Sequence, residues 1–133
     1  SFLAASQVAN VKLVDLQYGD TAGERAAFGA AGGRLARIDG LDLFEDLDGV
    51  LAAIAACDLV VTTSNVTAHL AGALGKETWL VYLGAQAPFF YWVPGPDGRS
   101  LWYPGVRIVT AAGWKRWADS SGSIEAQIRE RFG

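Results

Sequence analysis

The segment Asp58-Leu-Val-Val-Thr-Thr-Ser-Asn-Val-Thr-Ala-His-Leu-Ala-Gly-Ala-Leu-Gly-Lys76 constrains the fold more than any other part of the chain. A short run of branched apolar residues passes through a polar turn directly into a helix of small residues, the pattern of a buried strand that hands the chain to a covering helix. The first backbone N–H groups of such a helix have no intrahelical partner. Thr62, Thr63, Ser64, Asn65 and Thr67 therefore surround a place where dipole and hydrogen bonds together can hold an anion such as a phosphate. Ser, Thr and Asn are also the preferred caps of any helix, so capping alone is the plainer alternative. Ala68, Ala71, Gly72 and Ala73 favour the anion reading, because small side chains allow close approach of helix to sheet and of ligand to helix.

The same alternation extends on both sides. Val11 to Leu16 reads as a strand followed by the turn-like Gln17-Tyr18-Gly19-Asp20, and Ala22 to Ala31 as an alanine-rich helix stopped by Gly32-Gly33. Leu35 to Ile38 is a second short apolar run. After a polar connection, Asp46 opens a helix in which Leu47, Val50, Leu51, Ile54 and Ala55 fall at helical spacing. Leu59 to Val61 is the third strand, Val66 to Leu74 the next helix, Thr78 to Leu83 the fourth strand and Val106 to Thr110 the fifth. A terminal helix is expected over Ser123 to Phe132. This predicts an α/β fold, a three-layer Rossmann-like single domain with a mostly parallel sheet, whose ligands bind beyond the carboxyl ends of the strands. The loops after Leu16, Ile38, Val61 and Leu83 are expected to share that rim. Between Gly84 and Gly105 the pattern breaks into a long loop holding all four prolines and the aromatics Phe89, Phe90, Tyr91, Trp92, Trp102 and Tyr103. It could stack on a base or sugar, cover a sheet edge or meet another domain.

Composition narrows the function classes. With 133 residues, 51% of them apolar and 19% charged, the chain is sized for one well-covered domain rather than for disorder or two cores. A net charge of −3 and no basic stripe among the aromatics leave no electrostatic footprint for nucleic acid. No apolar run approaches the ~20 residues of a membrane span, and the start lacks the basic residues of a secretory signal, so a soluble, cytoplasmic protein is expected. The single cysteine, Cys57, permits no internal disulfide and fits a reducing compartment. No initiating methionine is present, and the chain opens in mid-element, which points to a piece of a longer protein. Loss of a preceding strand would leave an uncovered sheet edge that favours self-association.

His69 is the only histidine, in the first turn or so of the helix that follows the polar turn. A lone histidine is more often a structural hydrogen-bonding residue than a catalytic one, and without a second histidine or cysteine no ordinary metal site is expected. The positive pole of the helix disfavours added positive charge, so an imidazole hydrogen-bonded to phosphate or backbone is the preferred picture. Gln17, Tyr18 and Asp20 follow the first strand, and Asp42, Glu45, Asp46 and Asp48 the second. Both groups could face one crevice, or merely solvate loops and begin helices. Neither the glycine-rich dinucleotide fingerprint, nor a P-loop, nor a Gly-x-Ser-x-Gly elbow is present.

Leu16-Gln17-Tyr18-Gly19-Asp20, Asp46-Leu47-Asp48, the run Cys57 to Lys76 and Trp102-Tyr103-Pro104-Gly105-Val106-Arg107 together resemble the C-terminal region of bacterial tetratricopeptide-repeat proteins that carry a glycosyltransferase-like domain. That domain is similar to the nucleotide-sugar-binding half of the heptosyltransferase and O-linked N-acetylglucosamine transferase families. The resemblance implies the C-terminal half of a GT-B fold, in which two Rossmann-like domains face each other across a cleft. By position, Thr63, Ser64, Asn65 and Thr67 would grip the donor diphosphate with His69 beside them, and Gln17 and Tyr18 would line the nucleotide side. Transfer would need neither metal nor cofactor, because the helix terminus stabilises the departing diphosphate. Heptosyltransferase-like members carry Asp-Thr or Asp-Gly where this chain has Ser64-Asn65, which leaves UDP-, GDP- and ADP-linked donors open. The acceptor domain or repeat region would precede Ser1, so this chain alone is expected to bind donor without completing transfer. A non-enzymatic interaction module with a degenerate pocket and an aromatic binding loop is the alternative. A small flavodoxin-like phosphate binder is a third reading.

Overall fold

The computed structural model describes residues 2–84 and 89–133. The chain is α/β, with every strand pair parallel, and it divides into two compact units. Among the described residues the strands lie in two small sheets, one of two strands and one of three, where alternation alone suggests a single sheet.

One unit holds the residues up to Leu47 together with Ala118–Gly133. Its strands β1 (Leu13–Val14) and β2 (Leu35–Ala36) are only two residues each and pair Leu13 with Leu35 and Val14 with Ala36. Both are shorter than the runs Val11 to Leu16 and Leu35 to Ile38 that the apolar pattern suggests, with the charged Lys12 and Asp15 flanking β1 and Arg34 and Arg37 flanking β2. Helix α1 (Ala22–Ala30) connects them. The N-terminal segment, which includes a 3-10 turn over Ala5–Gln7, is tied down by hydrogen bonds from Arg34 Nε to Ser6 O (2.8 Å) and from Ala4 N to Glu125 Oε1 (2.9 Å).

Glu125 belongs to helix α4 (Trp117–Phe132), which starts six residues before the expected Ser123. The stretch Asp119-Ser-Ser-Gly-Ser123 has poor helix propensity, but Ser120, Ile124 and Ile128 form a buried stripe at four-residue spacing. Burial of that face outweighs local preference.

The other unit, Asp48–Trp117, is built on β3 (Val60–Thr62), β4 (Thr78–Val81) and β5 (Val106–Val109), in the order β3-β4-β5. All four residues of β4 are buried, as befits a central strand covered on both faces. The register sets Val60 beside Thr78 and Thr78 beside Val106, so the carboxyl ends of the three strands lie on one rim. Ala68, Leu80, Tyr82, Trp92 and Val106 form the core, with Tyr91, Tyr103 and Ile108 packed against it.

Helices α2 (Leu47–Ala56) and α3 (Val66–Ala73) and a 3-10 turn over Phe90–Trp92 complete the regular structure of the described residues. Lys76 Nζ donates to Ala55 O at 2.8 Å, placing a cation on the negative end of α2. Helix α3 stops where the glycine pattern says it should. Gly75 takes φ +67°, Gly75 N bonds to Gly72 O (3.0 Å) and Lys76 N to Ala71 O (2.9 Å), a Schellman stop that an L side chain would strain. On the outer side of β5, residues of the proline-rich loop run antiparallel: Ser100 N donates to Val106 O and Ile108 N to Gly98 O, at 2.8 and 2.9 Å. Part of that loop therefore covers a sheet edge, one of the roles weighed from sequence.

Candidate functional site

The polar turn sits at the rim of the three-stranded sheet, between the end of β3 at Thr62 and the start of α3 at Val66. Asn65 is the N-cap: its backbone is extended, and its Oδ1 accepts from Ala68 N at 3.2 Å. Its Nδ2 donates to Thr62 Oγ1 at 3.0 Å, which cross-braces the turn. Ser64 Oγ accepts from Trp92 Nε1 at 3.0 Å, and Trp92 is completely buried. Thr67 is buried, and Thr63 is exposed. The capping alternative is thus realised at Asn65, while helix geometry still leaves the Val66 and Thr67 N–H groups without partners inside α3.

His69 is half-buried in a ring of aromatics. Trp92 lies 4.6 Å away, Tyr91 5.3 Å and Tyr103 5.8 Å, centroid to centroid, and Nδ1 is 3.3 Å from the Tyr103 hydroxyl. Close packing here depends on a missing side chain: a Cβ on Gly72 would meet the Tyr103 ring at 2.5 Å. The imidazole is held by packing and one side-chain partner, the structural role expected of most lone histidines. Among the described residues, no group of three His, Cys, Asp or Glu side chains is arranged to hold a metal ion, and no helix is long and apolar enough to cross a membrane.

Gln17 and Tyr18 fall in the other unit, where parallel pairing of β1 with β2 brings the loops that leave both strands together. They line a groove of about 310 Å³ with Arg37, Leu41, Asp42 and Phe44. Asp42 Oδ1 accepts from the backbone N–H of Phe44 (2.8 Å) and of Glu45 (3.0 Å), and these bonds, Phe44 first, hold its carboxyl below the ordinary 3.8. Beneath the groove, Asp15 is buried. Its Oδ1 accepts from Gln17 N (3.0 Å), and its Oδ2 lies 3.8 Å from Arg25 Nη1 and 4.0 Å from Arg37 Nε without a hydrogen bond.

Of the seven residues singled out from sequence, Thr63, Ser64, Asn65, Thr67 and His69 are thus gathered at one turn, and Gln17 and Tyr18 at the groove. The sequence marks the loop of Trp92 and Tyr103 as aromatic but carries no signal that makes them partners of the turn, and none that brings Asp15, Arg37 or Phe44 to the groove. Charged residues at the ends of both short strands were the only local sign of Asp15 and Arg37.

No protein-family model matches the chain, and no solved structure matches it. Among curated proteins it is 36% identical over 121 residues to Protein FlbA of Caulobacter vibrioides. The match takes in 90% of this chain and 20% of FlbA, so the chain spans about a fifth of the length of that relative.

Proposed function

We propose that the chain is the donor-binding portion of a GT-B-type glycosyltransferase-like protein, taking a nucleotide diphosphate sugar. The observation that carries the reading is the β3–turn–α3 junction, at the carboxyl rim of a parallel sheet, with a fixed cap and two helix N–H groups left for an anion. The resemblance of the chain's motifs to those of tetratricopeptide-repeat glycosyltransferase-like proteins supports the substrate class. In this reading the diphosphate is held mainly by the Val66 and Thr67 N–H groups and the exposed Thr63. Ser64 and Asn65 build the turn, and His69 braces its aromatic wall. The helix terminus stabilises the leaving diphosphate without a metal, and the acceptor site and any catalytic base lie in other parts of the parent protein.

Calorimetric titration of this chain, and of a longer form containing the preceding sequence, with UDP-, GDP- and ADP-sugars tests the proposal. Saturable binding of one of them is expected, and silence from the longer form towards all three would overturn it. The second reading, an interaction module, draws on Phe90, Leu101 and Trp102, which are exposed on the aromatic loop. Loss of partner binding in a Phe90→Ala, Trp102→Ala variant that has no nucleotide affinity would favour it. Trp92 is unsuited to that test, because it is core.

A further inference from the structure

One buried polar group of the three-stranded unit serves no purpose in the fold. Tyr82 is 6% exposed, yet among the described residues its hydroxyl has no hydrogen-bond partner. An unpaired buried hydroxyl is costly, and a phenylalanine would fill the same space without that cost. Its place in the sheet gives the hydroxyl a use. Tyr82 N donates to Val109 O at 3.0 Å, so the ladder with β5 runs past the end of β4 to this residue. On the other side, the pairing of Thr62 with Leu80, continued along both chains, sets Tyr82 level with Ser64 in the polar turn. Side chains alternate along a strand, so Tyr82 shares the face of Leu80, and both belong to the core cluster that includes Ala68 from the first turn of α3. Helix α3 packs across β3 and β4. The phenol therefore rises from the sheet at its carboxyl rim, on the side where α3 begins.

We propose that the Tyr82 hydroxyl is a sheet-side donor to the anion at the N-terminus of α3, holding one phosphoryl oxygen from below while the Val66 and Thr67 N–H groups hold others; the inference rests on the donor-binding reading for the anion being a diphosphate. Donors then converge from the central strand as well as from the helix end. A neutral phenol suits the position, because it needs no counter-ion in the core and its bond to an ionised oxygen is of the short, charge-assisted kind. Burial strengthens that bond by lowering the local dielectric. The ring is packed in one cluster with Trp92, itself fixed by Ser64, and is thus ordered before the anion arrives. The hydroxyl is shielded from solvent, so contact with it shifts the turn at Ser64, and the Trp92 indole N–H that Ser64 receives becomes a reporter of binding.

The test uses the full chain and inorganic pyrophosphate, which engages the turn alone. In a magnetic resonance titration, saturable shifts are expected at the Val66 and Thr67 amides, the Trp92 indole N–H and the Tyr82 Cζ carbon. Tyr82→Phe should weaken pyrophosphate binding about tenfold or more. Its thermal midpoint without ligand should equal or exceed that of the native chain, since the substitution removes an unpaired group. Undiminished affinity in Tyr82→Phe, with or without a lowered midpoint, or a Tyr82 Cζ signal that stays in place while the Val66 and Thr67 amides move, overturns the assignment and leaves the donor-binding reading standing. Should the variant unfold, the Cζ signal of the native chain decides alone. A chain that binds no pyrophosphate overturns the assignment as well; the donor-binding reading falls with it only if the longer form also ignores UDP-, GDP- and ADP-sugars.

Discussion

The turn over residues 62–67 and the groove beside β1 are both rims of parallel strand pairs, yet they use their polar side chains in opposite ways. At the turn, Asn65 caps α3 and braces Thr62, and Ser64 receives Trp92. These side chains build the surface, and what remains for a ligand is mainly backbone. At the groove, Gln17, Tyr18, Arg37 and Asp42 stand on a platform made by others and keep hydrogen-bonding capacity open. A polar residue at a strand end therefore says little by itself; its commitments decide whether it supports a site or contacts a ligand.

That contrast predicts stability losses at the turn and almost none at the groove. Trp92→Ala should have the largest effect, about 3–5 kcal/mol in urea unfolding, since it empties a fully buried position and removes the donor to Ser64. A loss below ~1 kcal/mol would mean that the aromatic loop is not part of the core. Gly72→Ala forces a methyl into the Tyr103 ring and should cost roughly 1–3 kcal/mol; thermal melting would show it as a lowered midpoint, and an unchanged midpoint would refute the contact. Asn65→Ala should cost about 1 kcal/mol through the lost cap, with Asn65→Asp retaining most of it, and equal losses in the two variants would contradict the capping role.

Arg37→Gln and Asp42→Asn should stay within about 0.5 kcal/mol of the native chain, and larger losses would show that the groove, too, is structural. Asp42 adds a pH signature. Its folded-state carboxyl titrates below 3.8, so its contribution is present above that value and disappears as pH falls through the lowered one. Carbon-detected titration of the Asp42 carboxyl reads this directly, and a midpoint above 3.8 would show the two backbone hydrogen bonds to be absent in solution.

How much of this was legible in the sequence follows from how local each cause is. Strand β4, helix α3 and the stop at Gly75 are dictated by residues within a few positions, and they lie where apolar run, small-residue helix and glycine placed them. Helix α4 begins six residues before its local sequence signal, because its first turns depend on burying Ser120 and Ile124 rather than on propensity. The five residues of the turn could be grouped from their spacing, but not their partner Trp92, which comes from 28 positions away. The groove was half-visible. Gln17 and Tyr18 could be chosen at the end of a strand, whereas Arg37 and Phe44 join them only through the pairing of Leu13 with Leu35, a register that no local pattern specifies.

The segment that lies along β5 also governs what a damaged molecule would do. With Gly98 and Ser100 hydrogen-bonded to its outer edge, β5 offers no row of open N–H and C=O groups to a neighbouring chain. A single proteolytic nick near Pro96 or Asp97, which are both exposed, would free this guard while leaving all three strands of the sheet intact. The clipped protein would then carry a ready template for intermolecular strand addition, so its solubility in storage depends on a loop outside the regular secondary structure.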